Sequence, residues 1–200
     1  MLSEKDIAEA VAAVRAGTLV VLPTDTVYGV GADAFSPSAV DRLLTAKGRG
    51  RDKPSPVLVD SVAAAERLAV AIPPVARAMM EQLWPGALTI VLPAQPTIGW
   101  DLGETNGTVA LRMPDSADAL ALLSAAGPMA VSSANLTGHA PALTAADARE
   151  QLGEKVAVYL DGGAVTGGVP STIVRIGERI EILRHGAIPD ARIAEFGEPA

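Results

Sequence analysis

The chain has 200 residues, of which 49% are hydrophobic and 3% aromatic, with no cysteine and a formal net charge of −7. A chain of this length buries roughly 70% of the surface its unfolded form exposes, so it can build a core of Ala, Val, Leu and Ile without covalent staples. The acidic balance argues against broad attachment to nucleic acid or anionic lipid, and the missing cysteines exclude disulfides, thiolate metal sites and thiol nucleophiles.

Ser3 and Asp6 carry the letters of a capping box, and Ile7, Val11 and Val14 then share one helical face until Gly17 ends the run. Residues 19–22 form a short β-branched run stopped by Pro23, which predicts a buried strand. The polar stretch "TDTVYGVGADA" follows, with glycines that would let backbone approach a ligand closely. Ser36 then caps a helix that opens on Pro37, carries Val40, Leu43 and Leu44 as its apolar stripe, and ends near Lys47 and Gly48.

Further strands are expected at residues 57–59, 88–92, 108–113, 129–132, 156–160, 171–176 and 180–183, and helices at 61–68, 74–83, 116–125 and 144–152. Interleaved helices and strands favour α/β layering about a central sheet. "STIVRIGERIEILR" reads as an antiparallel hairpin around a glycine turn, so the sheet should be mixed. One domain is expected over residues 1–200, with residues 196–200 frayed. The amino terminus lacks a basic region followed by an apolar one, and the apolar runs are cut well before about 18 residues, so a cytoplasmic protein with no membrane contact is expected.

"GVGADA" satisfies the letters of a dinucleotide fingerprint, but the tight strand-to-helix turn that motif requires is missing. No Walker A pattern, nucleophile elbow or Ser-x-x-Lys pair is present. With two histidines far apart, no metal site is expected. "AKGRGRDKP" gathers Lys47, Arg49, Arg51 and Lys53, either as a solvated turn favoured at a helix carboxyl end or as a polyphosphate cradle. "VSSANLTG" ends another apolar strand in Ser132, Ser133, Asn135 and Thr137, and "GGVPST" adds a further polar loop. Such loops are ordinary turn chemistry taken singly, but three of them beyond strand ends suggest one shared pocket. Arg112 and Arg184 each terminate an apolar strand, either snorkelling or clamping a carboxylate or phosphate. Trp84 is expected in core and turn structure, and His139 and His185 are loop residues without a role.

In order along nearly the whole chain, "PTDTVYGVGADA", "AKGR", "WPGALTIVL", "TVALRMP", "SSANLTG", "GGVPSTIV" and "ILRHGAI" resemble the YrdC-type L-threonylcarbamoyladenylate synthases. The resemblance implies a twisted, mixed, open sheet with a concave, positively charged cleft. It also implies a nucleotidyltransferase that converts L-threonine, bicarbonate and ATP, with Mg²⁺, into threonylcarbamoyl-AMP and pyrophosphate. The product then serves a downstream tRNA threonylcarbamoyl transferase complex. By the same resemblance Thr26, Tyr28 and Arg112 belong to the threonine site. Lys47, Arg49, Ser133 and Asn135 are the catalytic set about the phosphates and carbamate, and Lys53, Thr108, Ser171 and Arg184 are further nucleotide contacts. Gly50, Lys53, Ser55 and Leu58 stand where the family carries Pro, Asn, Leu and His, and Pro141 where some members carry Ser. A non-catalytic RNA- or tRNA-binding module using the same basic concavity, or a related carbamoyl-transfer domain with another acceptor, is the alternative.

Overall fold

The first helix, α1 (Glu4–Arg15), starts at Ser3, whose hydroxyl accepts from the Asp6 N–H while the Asp6 carboxylate accepts from the Ser3 N–H, so the capping box forms as expected. This computed structural model describes residues 1–197. After α1 come β1 (Val20–Leu22), β2 (Gly29–Asp33), α2 (Pro37–Lys47), β3 (Val57–Leu58), α3 (Val62–Leu68), α4 (Pro74–Leu83), β4 (Leu88–Pro93) and β5 (Thr108–Arg112). The chain continues through α5 (Ala117–Ala126), β6 (Met129–Ser133), α6 (Ala145–Leu152), β7 (Val158–Tyr159), β8 (Thr172–Ile176), β9 (Ile180–Arg184) and α7 (Asp190–Ala194).

Among the described residues the strands form one sheet in the order β7-β1-β2-β6-β3-β5-β4-β8-β9. It is mixed: β1–β7, β3–β5 and β4–β8 are parallel, and the remaining neighbours antiparallel. The β8–β9 hairpin is present, with a bulge opposite Ile173 and Val174. Residues 29–33, read from the sequence as polar loop, are instead a strand at the sheet's interior. Gly29 lines the cleft, but Gly31, also expected to let backbone approach a ligand, does not. A Cβ on Gly29 would lie 2.6 Å from Val131 Cγ1, and one on Gly31 2.9 Å from Met129 Cε and Val131 Cγ2, so these glycines make room for side chains of β6.

Side-chain alternation decides where the cleft lies. Leu88, Ile90, Leu92, Val109, Leu111 and Val174 enter one core with Leu43, Leu68, Met79 and Leu152 from α2, α3, α4 and α6. On the opposite face Val20, Leu22, Leu58, Met129 and Val131 are covered by Val11 and Val14 of α1 and Leu122 and Leu123 of α5. That cover does not extend over β4, β5 and β8, so Thr89, Val91, Thr108, Ala110, Ile173 and Arg175, alternating with the core residues, line an open concavity. Phe196 of the segment expected to fray packs against the core, and its N–H donates to Ile193 O (3.1 Å). Residues 198–200 lie outside the described residues.

Candidate active site

The concavity holds about 380 Å³ and is walled by the loop that follows β1, by the end of β6, by residues 54–56, and by the uncovered face of β4, β5, β8 and β9. Seven residues proposed from sequence line it together: Thr26, Arg49, Thr108, Arg112, Ser133, Ser171 and Arg184. Those residues come from well-separated parts of the chain, and the sheet order brings them to one place.

Arg112 ends β5 and is almost wholly buried. Its Nε donates to Gly86 O (2.9 Å), one terminal nitrogen to Thr26 Oγ1 (3.0 Å) and the other to Asp25 Oδ1 (2.5 Å), so the guanidinium is held on three sides. Burial pushes its pKa below the ordinary arginine value, with Asp25 opposing, yet a guanidinium stays protonated. The Asp25–Thr26 segment is itself pinned. Thr24 Oγ1 donates to Val27 O (2.6 Å) and accepts from Thr26 N–H (3.2 Å), a local turn that explains why two threonines flank the aspartate. The unused N–H groups of Arg112 and the threonine hydroxyls suit a small carboxylate-bearing molecule.

Arg49 follows α2, which ends in Gly48 at φ 60°. Its Nε donates to Lys53 O (2.5 Å) and its terminal nitrogens to Ser132 Oγ (3.1 Å) and Pro54 O (3.3 Å). At the far side Arg184 donates twice to Ser171 O (2.9 and 2.7 Å) and to Ser171 Oγ (3.0 Å), and Ser171 Oγ shares a 2.8 Å hydrogen bond with Thr89. Burial lowers the Arg184 pKa first, and repulsion from Arg112 and Arg49 lowers it further. Three like charges that feel one another across a shallow space are stabilised by an anion placed between them. Arg175, tied to Glu181, adds a fourth guanidinium and Glu104 an opposing carboxylate.

Tyr28, Lys47, Lys53 and Asn135 do not line the cleft. Tyr28 donates to Gly163 O (2.7 Å) and accepts from Gly162 N–H (3.1 Å), fastening the loop whose Gly168 N–H donates to Thr26 O (2.8 Å); it reaches the cleft wall at Thr26 only through that loop. The Lys47 ammonium is buried and donates to the carbonyls of Ser133 and Asn135, the latter at 2.7 Å. Burial, with repulsion from Arg49, brings its pKa down to about 8. Asn135 Nδ2 donates to Leu136 O (2.8 Å) and His139 O (2.9 Å), bracing the same loop. Lys53 is exposed and contributes its carbonyl rather than its charge. The catalytic set expected from sequence is therefore split: Arg49 and Ser133 face the cleft, while Lys47 and Asn135 brace the end of β6, where Ser133 sits, and the loop after it.

Thr89 and Arg175 also line the cleft and were not singled out from sequence, and Thr24, Ser55, Leu58 and Ser132, named from sequence without a site role, line it too. Thr89 and Arg175 had a signal, being polar residues at alternate positions of otherwise apolar strands. Among the described residues no group of three or more His, Asp or Glu side chains could hold a metal ion, so the donors present do not fit a protein-held Mg²⁺. No described helix is long and apolar enough to cross a membrane.

An α/β domain whose uncovered sheet face forms an arginine-lined small-molecule cleft is the class that fold and site define. The Sua5/YciO/YrdC family model, described as "Telomere recombination", matches residues 12–186, and the chain belongs to that family. A protein of Mycobacterium tuberculosis strain H37Rv, provisionally named a threonylcarbamoyl-AMP synthase, is 53% identical over 192 residues, 96% of this chain and 88% of that one. The threonylcarbamoyl-AMP synthase of Bacillus subtilis is 38% identical, over 96% of this chain and 56% of its own length. Sua5 of P. abyssi, solved in complex with L-threonine, superposes with a TM-score of 0.94 at 35% identity, over 98% of this chain and 58% of that one. The chain thus spans most of the mycobacterial relative and little over half of the other two.

Proposed function

We propose that the protein is an L-threonylcarbamoyladenylate synthase, taking L-threonine, bicarbonate and ATP to threonylcarbamoyl-AMP and pyrophosphate. The observation that carries this reading is the convergence of Arg49, Arg112 and Arg184 on one cleft, in a chain closely similar to proteins named for that reaction. The threonine amino group bonds to the bicarbonate carbon with loss of water, and an oxygen of the resulting carbamate attacks the α-phosphorus of ATP; the new O–P bond forms as the bond to pyrophosphate breaks, and no protein nucleophile is needed. Positioning and charge neutralisation carry such a transfer.

In this assignment Arg112, oriented by Asp25, Thr26 and Gly86 O, binds the threonine carboxylate, with Thr24 and Thr26 beside it. Arg49 and Arg184 offset the charge of the phosphates, Ser133 faces the reacting carbamate, and Thr108 and Ser171 complete the nucleotide side. Lys47 and Asn135 act through the end of β6 and the loop after it as positioning residues. No described residues form a cage for Mg²⁺, and an ion brought by ATP would supply further charge neutralisation beside Arg49 and Arg184. The cytoplasm, a downstream tRNA threonylcarbamoyl transferase complex and the tRNA adenosine it modifies complete the proposed setting.

Pyrophosphate release by the purified protein, with L-threonine and bicarbonate each present or omitted, tests the reading. Release that requires both is expected. No release from folded protein under any combination overturns it and makes RNA affinity the next assay.

A further inference from the structure

Ser55 lies between Pro54 and Pro56, is 4% exposed, lines the cleft, and has an Oγ that is buried without a hydrogen-bond partner. Its neighbours explain the isolation. Pro56 has no N–H from which the hydroxyl could accept, and a residue before proline is held in extended backbone. The flanking carbonyls bond elsewhere: Pro54 O accepts from Arg49 at 3.3 Å, and Pro56 O accepts from the Val131 N–H at 2.8 Å. A buried hydroxyl with both its donor and its acceptor capacity unused is uncommon in a folded chain, and in a cleft wall it points to a ligand group.

Arg49 identifies the kind of group. Its guanidinium is bound to the carbonyls of Lys53 and Pro54 and to Ser132 Oγ, which places a positive charge immediately beside residue 55. Ser132 accepts from Arg49 and so keeps its own O–H to donate. One cation and two hydroxyl donors at one end of the cleft suit an oxygen carrying negative charge.

We propose that Ser55 is a substrate-contacting residue whose hydroxyl donates to an anionic oxygen held against Arg49, completing an oxyanion subsite with Ser132. The source of that oxygen rests on the synthase reading: either a phosphoryl group of the nucleotide or the carbonate-derived carboxylate brings it. The hydroxyl is held in place before binding, so its hydrogen bond forms without ordering a mobile side chain.

Ser55→Ala tests this in two independent ways. Inorganic pyrophosphate is titrated into wild type and variant by calorimetry, which needs no turnover, and KM values for ATP and bicarbonate are measured by pyrophosphate release. Loss of a hydrogen bond to a charged acceptor is expected to raise the affected constant about tenfold. A phosphoryl contact weakens pyrophosphate binding and raises the KM for ATP, whereas a carbonate contact raises the KM for bicarbonate alone. The melting temperature of the free variant is expected to equal or exceed that of wild type, because alanine removes an unpaired buried hydroxyl. All constants unchanged, or a lower melting temperature with every constant degraded together, overturns the proposal. If wild type releases no pyrophosphate but Ser55→Ala binds it more weakly, the synthase reading fails and the subsite stands. If wild type is active and the variant is unaltered, the subsite fails and the reading stands.

Discussion

Arg112 shows how a single side chain serves both stability and chemistry. Its ion pair with Asp25 is nearly buried, at 8% and 15% side-chain exposure, and removing one partner strands the other charge away from water. Arg112→Ala is expected to lower the unfolding free energy by about 3 kcal/mol in urea titrations, with part of that recovered when Asp25→Asn is added. Lys47 offers a pH-dependent counterpart. Its ammonium titrates at about 8 when folded and near 10.5 as an ordinary lysine, so between those values the unfolded chain binds the proton that the folded chain has released. This group's contribution to stability therefore rises as pH rises through that window. Wild type should gain melting temperature relative to Lys47→Met between pH 7 and 10, and a constant difference across that range rejects the assignment. Arg112 was legible in the sequence as an arginine ending an apolar strand, but its residue pattern alone left snorkelling and anion clamping equally open. The inward turn of Lys47 was not legible, because only the distant carbonyls of Ser133 and Asn135 give its ammonium somewhere to go.

Helices were the most readable elements. Ser3, Ser36, Ser61, Ser116 and Thr144 each accept from the backbone N–H three residues on, so local chemistry alone fixes where those helices begin. The strand β2 was unreadable for the opposite reason. Its glycines weaken any local strand preference, and it exists because β1 and β6 pair with it on both sides. Gly29→Ala would drive a methyl group into Val131. A loss of about 1–3 kcal/mol is expected by denaturant unfolding, and adding Val131→Ala should restore much of it. Full additivity of the two losses would show that the clash is not the cause. The β8–β9 bulge belongs at this scale too, since it carries Leu183 and Arg184 together to the cleft rim.

At the scale of the molecule, a chain with net charge −7 brings Arg49, Arg112, Arg175 and Arg184 to one concavity. A local cluster of arginines favours a small anion within it even where the net charge of the chain is negative. ATP should raise the melting temperature, by the equivalent of about 2.7 kcal/mol at a hundred times its Kd, and Arg49→Ala should abolish most of that rise without unfolding the protein. An undiminished shift in the variant would remove Arg49 from the nucleotide site.

The amino-acid sequence by itself determined the helix starts, most of the strands, the α/β class and a set of polar strand ends rich in arginine and hydroxyl groups. These follow from caps, turn residues and hydrophobic period, all of which act over a few neighbouring positions. Only the tertiary structure decided which of those groups meet. The covering helices α1 and α5 stop short of β4, β5 and β8, leaving one sheet face open. Sheet order then sets Arg49, Arg112 and Arg184 around that opening while burying Lys47 and Asn135 behind it, because long-range pairing rather than local preference fixes which side of a loop faces solvent.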